Sequence, residues 1–377
     1  MFIVYTSGRN SQFLDASNST CDQVWSTWPS VHQQATVDGA FIVFEVFPSV
    51  GNLFIDLKNI LTVVRFLEAS LVLDWRKRFP GFRHAFEPSE IFWDVDPAPL
   101  KKRASIIEQG GNFGGFNALT CDDGVIVLSD TQLVRLISDF REVVSAISKA
   151  NERPKLRNIF LKTSSNLGRQ DFVGVQPCAW NLLLKRSVLL LESLQMNNPW
   201  ASGVELESNK RPAKYVGWHI RTRDGESKAS YSPEIHRYII REPEQVVCPA
   251  FEAATDAAKR TFPELFPTHM EIFVSSNSKG LARSCIEDLA ENGIQGGQVD
   301  MGLGPEDAHT QFSRHPLAAI NAFLDYIFLL DAAVLVRTGS SFSGTIAKMK
   351  QFVCLPSSGH ELSDRTLYVC IPKYTSR

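Results

Sequence analysis

Residues 41–47, FIVFEVF, form an unbroken apolar and β-branched run that reads as a buried strand. PSVGN at 48–52 is a turn signal. From Leu53 the apolar positions move to helical spacing: Leu53, Leu57, Ile60, Leu61, Val64 and Leu67. Residues 71–74, LVLD, return to strand character. Strand, glycine-bearing turn, helix and strand make one βαβ unit. Its turn has two readings. It is a plain connection, or Gly51 and Asn52 form part of a ligand site, because α/β domains place ligands at the carboxyl ends of strands.

Residues 75–130 are rich in Phe, Trp, Pro and Gly and follow no clear period. GGNFGG at 110–115 reads as a surface loop and lacks the spacing of a phosphate-binding glycine motif. Helical patterning resumes over 131–150 and 178–195. The polar stretch 197–213, with its prolines, reads as a linker, which divides the chain into an N-terminal domain at 1–200 and a C-terminal domain at 201–377. The second half repeats the alternation. Strands are expected at 215–220, 271–275, 298–301 and 333–336, and helices at 244–262, 279–292, 316–331 and after residue 344. This rhythm predicts an α/β fold with a doubly wound, mostly parallel sheet. Three polar turns, HIRTRDGE, SSNSKG and RTGSSFSG, then share one sheet edge.

Composition narrows the function only by exclusion. The 377 residues are 44% hydrophobic and 21% charged, with a net charge of −2. No global field favours nucleic acid or an anionic membrane, so any bound anion must be held by a local cluster. Seven cysteines lack zinc spacing and read mostly as small buried hydrophobes; their odd number leaves at least one outside any intramolecular disulfide. Asn18-Ser19-Thr20 fits a glycosylation sequon. The opening MFIVYTSGRN does not read as a signal peptide, and no run approaches the length of a membrane span. The compartment is left open between the cytoplasm and, had an anchor been trimmed, the secretory lumen.

The chemistry concentrates in two turns. In RTGSSFSG (337–344), glycine permits a tight turn and serine suits a helix start; free N–H groups there bind phosphate oxygens. The plain alternative is a capped helix without a ligand. In VGWHIRTRDGE (216–226), Arg221 and Arg223 follow a strand end, with His219 inside its apolar part and Asp224 and Glu226 placed to orient them. An arginine fork fits phosphate in two-point contact. The alternative is a solvated salt-bridge cluster. Occurring together, the two turns point to a diphosphate pocket.

VGWHIRTRDGE resembles the H-x-R motif of the fucosyltransferase superfamily. The likeness continues in order: FEVFPSVGNLFIDLKNILTVVRFLEASLVLDW (44–75) is similar to its opening unit, QPCAWNLLLKRS (176–187) to the segment before the linker, and AFLDYIFLLDAAVLVRTGSSFSGTIAKM (322–349) to its C-terminal element. The resemblance implies a GT-B fold, two Rossmann-like domains facing a cleft, the N-terminal one (1–200) on the acceptor side and the C-terminal one (201–377) binding the nucleotide sugar, with GDP-fucose as donor substrate, inversion at the sugar carbon, and neither metal nor cofactor. Arg221 matches the arginine that contacts the diphosphate, and Ser340, Ser341 and Phe342 match the phosphate-contacting turn. Asn277 stands where relatives carry an aspartate facing the guanine or ribose, and Asp300 is a second candidate for that role. Leu53 follows Gly51-Asn52 where relatives often carry a basic residue. His309 and Thr310 lie in a loop within reach of the sugar.

The expected activity is therefore transfer of fucose to a hydroxyl of a glycan or glycoprotein, with Arg221 stabilising the departing diphosphate. Glu226, Asp224, Glu45 and Asp56 are the candidate bases. Two alternatives stand beside it: a sugar-nucleotide or glycan-binding protein without turnover, and a GT-B transferase using another nucleotide sugar.

Overall fold

The computed structural model describes residues 12–14, 21–39, 41–46, 50–66, 68–76, 79–99, 105–107, 124–128, 158–161, 175–200, 215–221, 229–232, 237–240, 259, 263, 271–277, 279–303, 315–362 and 365–373. The GGNFGG loop and the helices expected over 131–150 and 244–262 lie outside them, apart from residue 259. The chain divides into two units, one comprising 11–48 with 52–186, the other comprising 187–377 with 49–51.

The N-terminal unit contains α1 (Gln23–Ser26), α2 (Trp28–Asp38), β1 (Phe41–Glu45), α3 (Val50–Phe66), β2 (Ser70–Asp74), α4 (Gly81–Ala85), β3 (Phe86–Pro88), β4 (Ser105–Ile107), β5 (Gly124–Leu128), β6 (Asn158–Leu161), α5 (Pro177–Leu183) and β7 (Leu184–Arg186). Its sheet runs β2-β1-β6-β5-β4 with every pair parallel. Ile42, Val43 and Phe44 are all buried, as a strand covered on both faces requires. The helical spacing read from 53 onward is the buried stripe Leu53, Leu57, Ile60, Leu61 and Val64 of α3. Gly39, left-handed at φ 74°, ends α2, where glycine pays no Cβ penalty.

The C-terminal unit contains α6 (Val188–Met196), β8 (Val216–Ile220), the hairpin β9 (Ala229–Ser232) and β10 (Arg237–Ile240), β11 (Glu271–Ser276), α7 (Lys279–Glu291), β12 (Gln295–Gly297), α8 (Pro316–Asp331), β13 (Val334–Arg337), α9 (Ser341–Met349), β14 (Phe352–Leu362) and β15 (Arg365–Pro372). Its sheet order is β12-β11-β8-β13-β15-β14. The first four strands are parallel, and β15 and β14 add an antiparallel hairpin. β8 is thus flanked by β11 on one side and by β13 on the other. The winding reverses between β8 and β13, which is the topological switch point where such sheets bind ligands. The helix α6 packs against α8 and groups with this unit.

Strand alternation sorts the sheet's two faces. Val216, Trp218, Ile220, Ile272, Val274, Val334 and Val336 point to one side and close a core with Leu281, Ala282, Cys285 and Leu289 of α7. Gly217 and Phe273 point to the other side, under α8. A Cβ at Gly217 would lie 3.0 Å from Leu329 and Ala332, so glycine lets that helix press onto the strand. Tyr215 Oη fixes the helix further by donating to the Phe328 carbonyl at 2.6 Å.

Two expectations are corrected here. The edge strand is Gln295–Gly297, ahead of the expected 298–301; a glycine-rich edge strand has no apolar period to read. The cysteines are not mainly small hydrophobes: Cys21 pairs with Cys178, Cys354 with Cys370, and Cys285 is also disulfide-bonded. Cys354 and Cys370 are direct partners in the β14–β15 register, and Cys21 and Cys178 are brought together across 157 positions. Neither proximity is visible in linear spacing.

Candidate functional site

The same alternation that builds the core builds a polar row. On the α8 side of the sheet, Ser275, His219, Arg337 and Tyr368 are register partners across β11, β8, β13 and β15. The row crosses the switch point near the carboxyl ends of the parallel strands. Three of its members are met by residues of the layer above: Ser275 by Asp325, His219 by Phe342 and Arg337 by Ser343. His219, buried, stacks on Phe342 with ring centroids 5.2 Å apart and planes 23° from parallel. Tyr326 of α8 meets Phe342 edge-on at 5.2 Å, and its hydroxyl lies 3.0 Å from Thr345 Oγ1.

The two turns that the sequence singled out are tied to each other. Thr338 N–H donates to the His219 carbonyl at 3.1 Å, and Arg221 N–H donates to Thr338 Oγ1 at 2.8 Å. Thr338 is fully buried, so this double link fixes where Arg221 leaves the sheet. Ser340 is the N-cap of α9: its Oγ accepts from Phe342 N–H at 3.2 Å, and its carbonyl accepts from Gly344 N–H at 2.9 Å. The capped-helix reading of this turn is therefore correct as far as it goes. The cap serves one N–H, and a helix start presents others outward.

Arg337, the last residue of β13, lies under this turn. Its Nη2 donates to the Ser340 carbonyl at 3.2 Å and its Nε to Ser343 Oγ at 3.3 Å, with the guanidinium 5.3 Å from the centre of the Tyr368 ring. Burial pulls its pKa below the usual arginine value. Gly51, grouped with this unit, lies directly on the helix start. A Cβ there would come within 2.6 Å of Phe342 N and 2.9 Å of Ser341 Oγ, a separation only glycine tolerates. Asn52 follows in the first turn of α3, half-buried.

At the other end of the row, Ser275 Oγ donates to Asp325 Oδ2 at 3.2 Å. Burial pushes the Asp325 carboxyl up to about 7, against the opposing effects of Ser275 and Lys279. Lys279 also pairs with Asp300 at 3.1 Å. Asp300 also accepts from Gly302 N–H at 2.9 Å and lies 3.7 Å from Arg283. The Gly302 hydrogen bond, followed by the Lys279 contacts, holds its pKa below the ordinary value despite some burial. Asn277 stands half-buried just past β11. Asp56 is buried within α3, and Glu45 ends β1. Arg223, Asp224, Glu226, His309 and Thr310 lie outside the described residues.

The structure thus gathers His219, Arg221, Ser340, Ser341, Phe342 and Gly51 at one place. It adds two residues that sequence reasoning passed over. Arg337 was visible in RTGSSFSG but carried no motif weight, and Asp325 sat inside a helix as one polar position among apolar ones. The available signal for Arg337 was its place as the charged residue that ends the apolar run AAVLV (332–336); Asp325 had none.

No family model matches the chain, and no curated protein is similar to it in sequence. Solved structures are. A mutant of Arabidopsis thaliana FUT1 in complex with GDP superposes with a TM-score of 0.52 at 12% identity, over 89% of this chain and 80% of that one. The NodZ alpha-1,6-fucosyltransferase co-crystallized with GDP gives 0.47 at 14% identity, over 89% and 99%. A fucosyltransferase NodZ from Bradyrhizobium gives 0.43 at 14% identity, over 84% and 94%. At such identity the likeness is one of fold: the chain has a fucosyltransferase-like α/β fold. Among the described residues no helix is long and apolar enough to cross a membrane.

Proposed function

We propose that this protein is a GT-B glycosyltransferase that moves fucose from GDP-fucose to a hydroxyl of a glycan or glycoprotein acceptor, inverting the sugar carbon without a metal. The observation that carries the reading is the junction of Arg221 with the start of α9 at the β8–β13 switch point. An arginine fork and outward N–H groups at such a junction suit a diphosphate. Asp325 supports the choice of base. Guanine offers two adjacent N–H donors on one edge, and an ionised carboxylate accepts both; uracil offers one. Asp325 replaces Asn277 and Asp300 as our candidate for this contact.

The mechanism follows from charge. The bond between the sugar carbon and the β-phosphate oxygen breaks as the acceptor oxygen bonds to the opposite face of that carbon. Negative charge grows on the diphosphate and positive charge on the sugar. Arg221 and the N–H groups of the 340–343 turn hold the departing diphosphate more strongly as its charge develops. These protein donors do the work a divalent cation does in metal-dependent transferases, which is why we assign none. The acceptor proton passes to a carboxylate, for which we assign Glu226.

A thermal-shift comparison of GDP, UDP, CMP and GDP-fucose in EDTA tests the reading. A ligand that binds only the folded state raises its apparent stability. GDP and GDP-fucose should stabilise and UDP should not; stabilisation by UDP alone refutes the donor assignment.

A further inference from the structure

Arg337 has a partner set unlike that of Arg76, Arg83 and Arg283. Arg83 pairs with Asp94 at 2.8 Å, Arg76 with the same carboxylate at 3.1 Å, and Arg283 with Asp300 at 3.7 Å. Arg337 bonds only neutral oxygens, the Ser340 carbonyl and the Ser343 hydroxyl, and rests on the face of Tyr368. Among the described residues no carboxylate lies within ion-pair distance of it. A largely buried guanidinium is costly without a counter-charge, and its cost is raised by the start of α9, which carries the positive end of a helix dipole. Arg221 leaves the sheet at the adjacent strand end. Positive charge is thus gathered on one side of the row, and that of Arg337 meets no carboxylate among the described residues.

The bonds of Arg337 also have a mechanical effect. The Ser340 carbonyl it holds is the one that accepts the first hydrogen bond of α9 from Gly344, and Ser343 is in the first turn of that helix. One planar fork therefore grips the turn both before and after Ser341 and Phe342. The side chain runs close beside the helix: a Cβ at Gly344 would lie 3.3 Å from its Nη2. A lysine carries the charge into this space but reaches only one of the two oxygens at a time.

We propose that Arg337 is a positioning residue for the donor's diphosphate: its fork sets the Ser340–Ser343 turn, and its charge is neutralised when the diphosphate docks. The proposal rests on the GDP-sugar reading and assigns to that site a residue behind the phosphate turn. It acts through the turn, so its effect belongs to ligands that carry phosphate.

The test compares wild type, Arg337→Met, Arg337→Lys and Ser343→Ala for binding of GDP and of guanosine, by calorimetry and competition, with melting temperature as the fold check. Arg337→Met should weaken GDP on the order of 10-fold or more, the weight of a charge-assisted contact, and leave guanosine within about twofold. Arg337→Lys should recover only part of that loss. Ser343→Ala, which keeps the charge, should weaken GDP a fewfold and guanosine not at all; with Arg337→Lys it carries the comparison should Arg337→Met fail to fold. Equal loss for GDP and guanosine marks a merely structural residue and overturns the proposal. Unchanged GDP binding, or full recovery by lysine, overturns it too, and in both cases the GDP-sugar reading stands. Wild type that binds neither ligand overturns that reading and this proposal together.

Discussion

Asp325→Asn separates the cost of the carboxylate from its use. Burial raises the Asp325 pKa from 3.8 to about 7. The unfolded chain releases this proton near pH 4, whereas the folded protein keeps it until pH approaches 7. Across that interval the folded state binds more protons, so stability falls as pH rises and levels off above 7. About three pH units at about 1.4 kcal/mol each set an upper limit of about 4 kcal/mol. Asparagine has nearly the same shape, accepts the Ser275 hydrogen bond and does not titrate. The variant should match wild type near pH 4 and exceed it by up to that amount at pH 8, read from urea midpoints at several pH values. Binding should move the opposite way. Only the ionised carboxylate accepts both guanine N–H groups, so wild-type GDP affinity should rise as pH approaches 7, with proton release on binding. The variant should lose on the order of 30- to 100-fold in affinity and its pH dependence with it. Parallel stability curves for the two proteins from pH 4 to 8 refute the assignment of a raised pKa to Asp325. A pH-independent wild-type GDP affinity refutes its contact with the base.

Arg221→Ala should lower the transfer rate on the order of 100- to 1000-fold without loss of folding, and Arg221→Lys should rescue poorly, as measured by steady-state transfer with circular dichroism as control. Gly51→Ala places a methyl 2.6 Å from Phe342 N, so GDP affinity should fall and the melting temperature drop; a variant with wild-type binding shows that this approach is not needed for the site. Opening the Cys21–Cys178 bridge should destabilise more than opening Cys354–Cys370, because their sequence separations are 157 and 16; chain entropy gives about 5 against about 3 kcal/mol, comparable by melting each serine variant.

Much of the architecture was legible in one dimension. FIVFEVF, the heptad-like stripe from Leu53 and the alternation of strands with helices after 215 reflect burial, and burial writes a local period into the chain. The turn in RTGSSFSG and the strand in VGWHIRTRDGE were legible because glycine and serine mark a turn that caps a helix and an apolar run marks a buried strand. The C-terminal hairpin β14–β15 went unread: its exposed Val353 and Leu355 alternate against the buried-inside rule at a sheet edge. The disulfides were misread for a related cause, since pairing depends on which strands lie side by side.

What the tertiary structure alone decided is the order of strands, and with it the site. Local pattern makes β8, β11 and β13 strands but does not say that β8 lies between the other two. That placement puts Arg337 beside His219, Ser275 on its other side and Asp325 above, residues separated by many positions in the chain. Periodicity records which face of an element is buried, a property of neighbouring residues. Adjacency of strands, and hence the meeting of charges at a switch point, is a property of contacts distant in sequence, and no local period carries it.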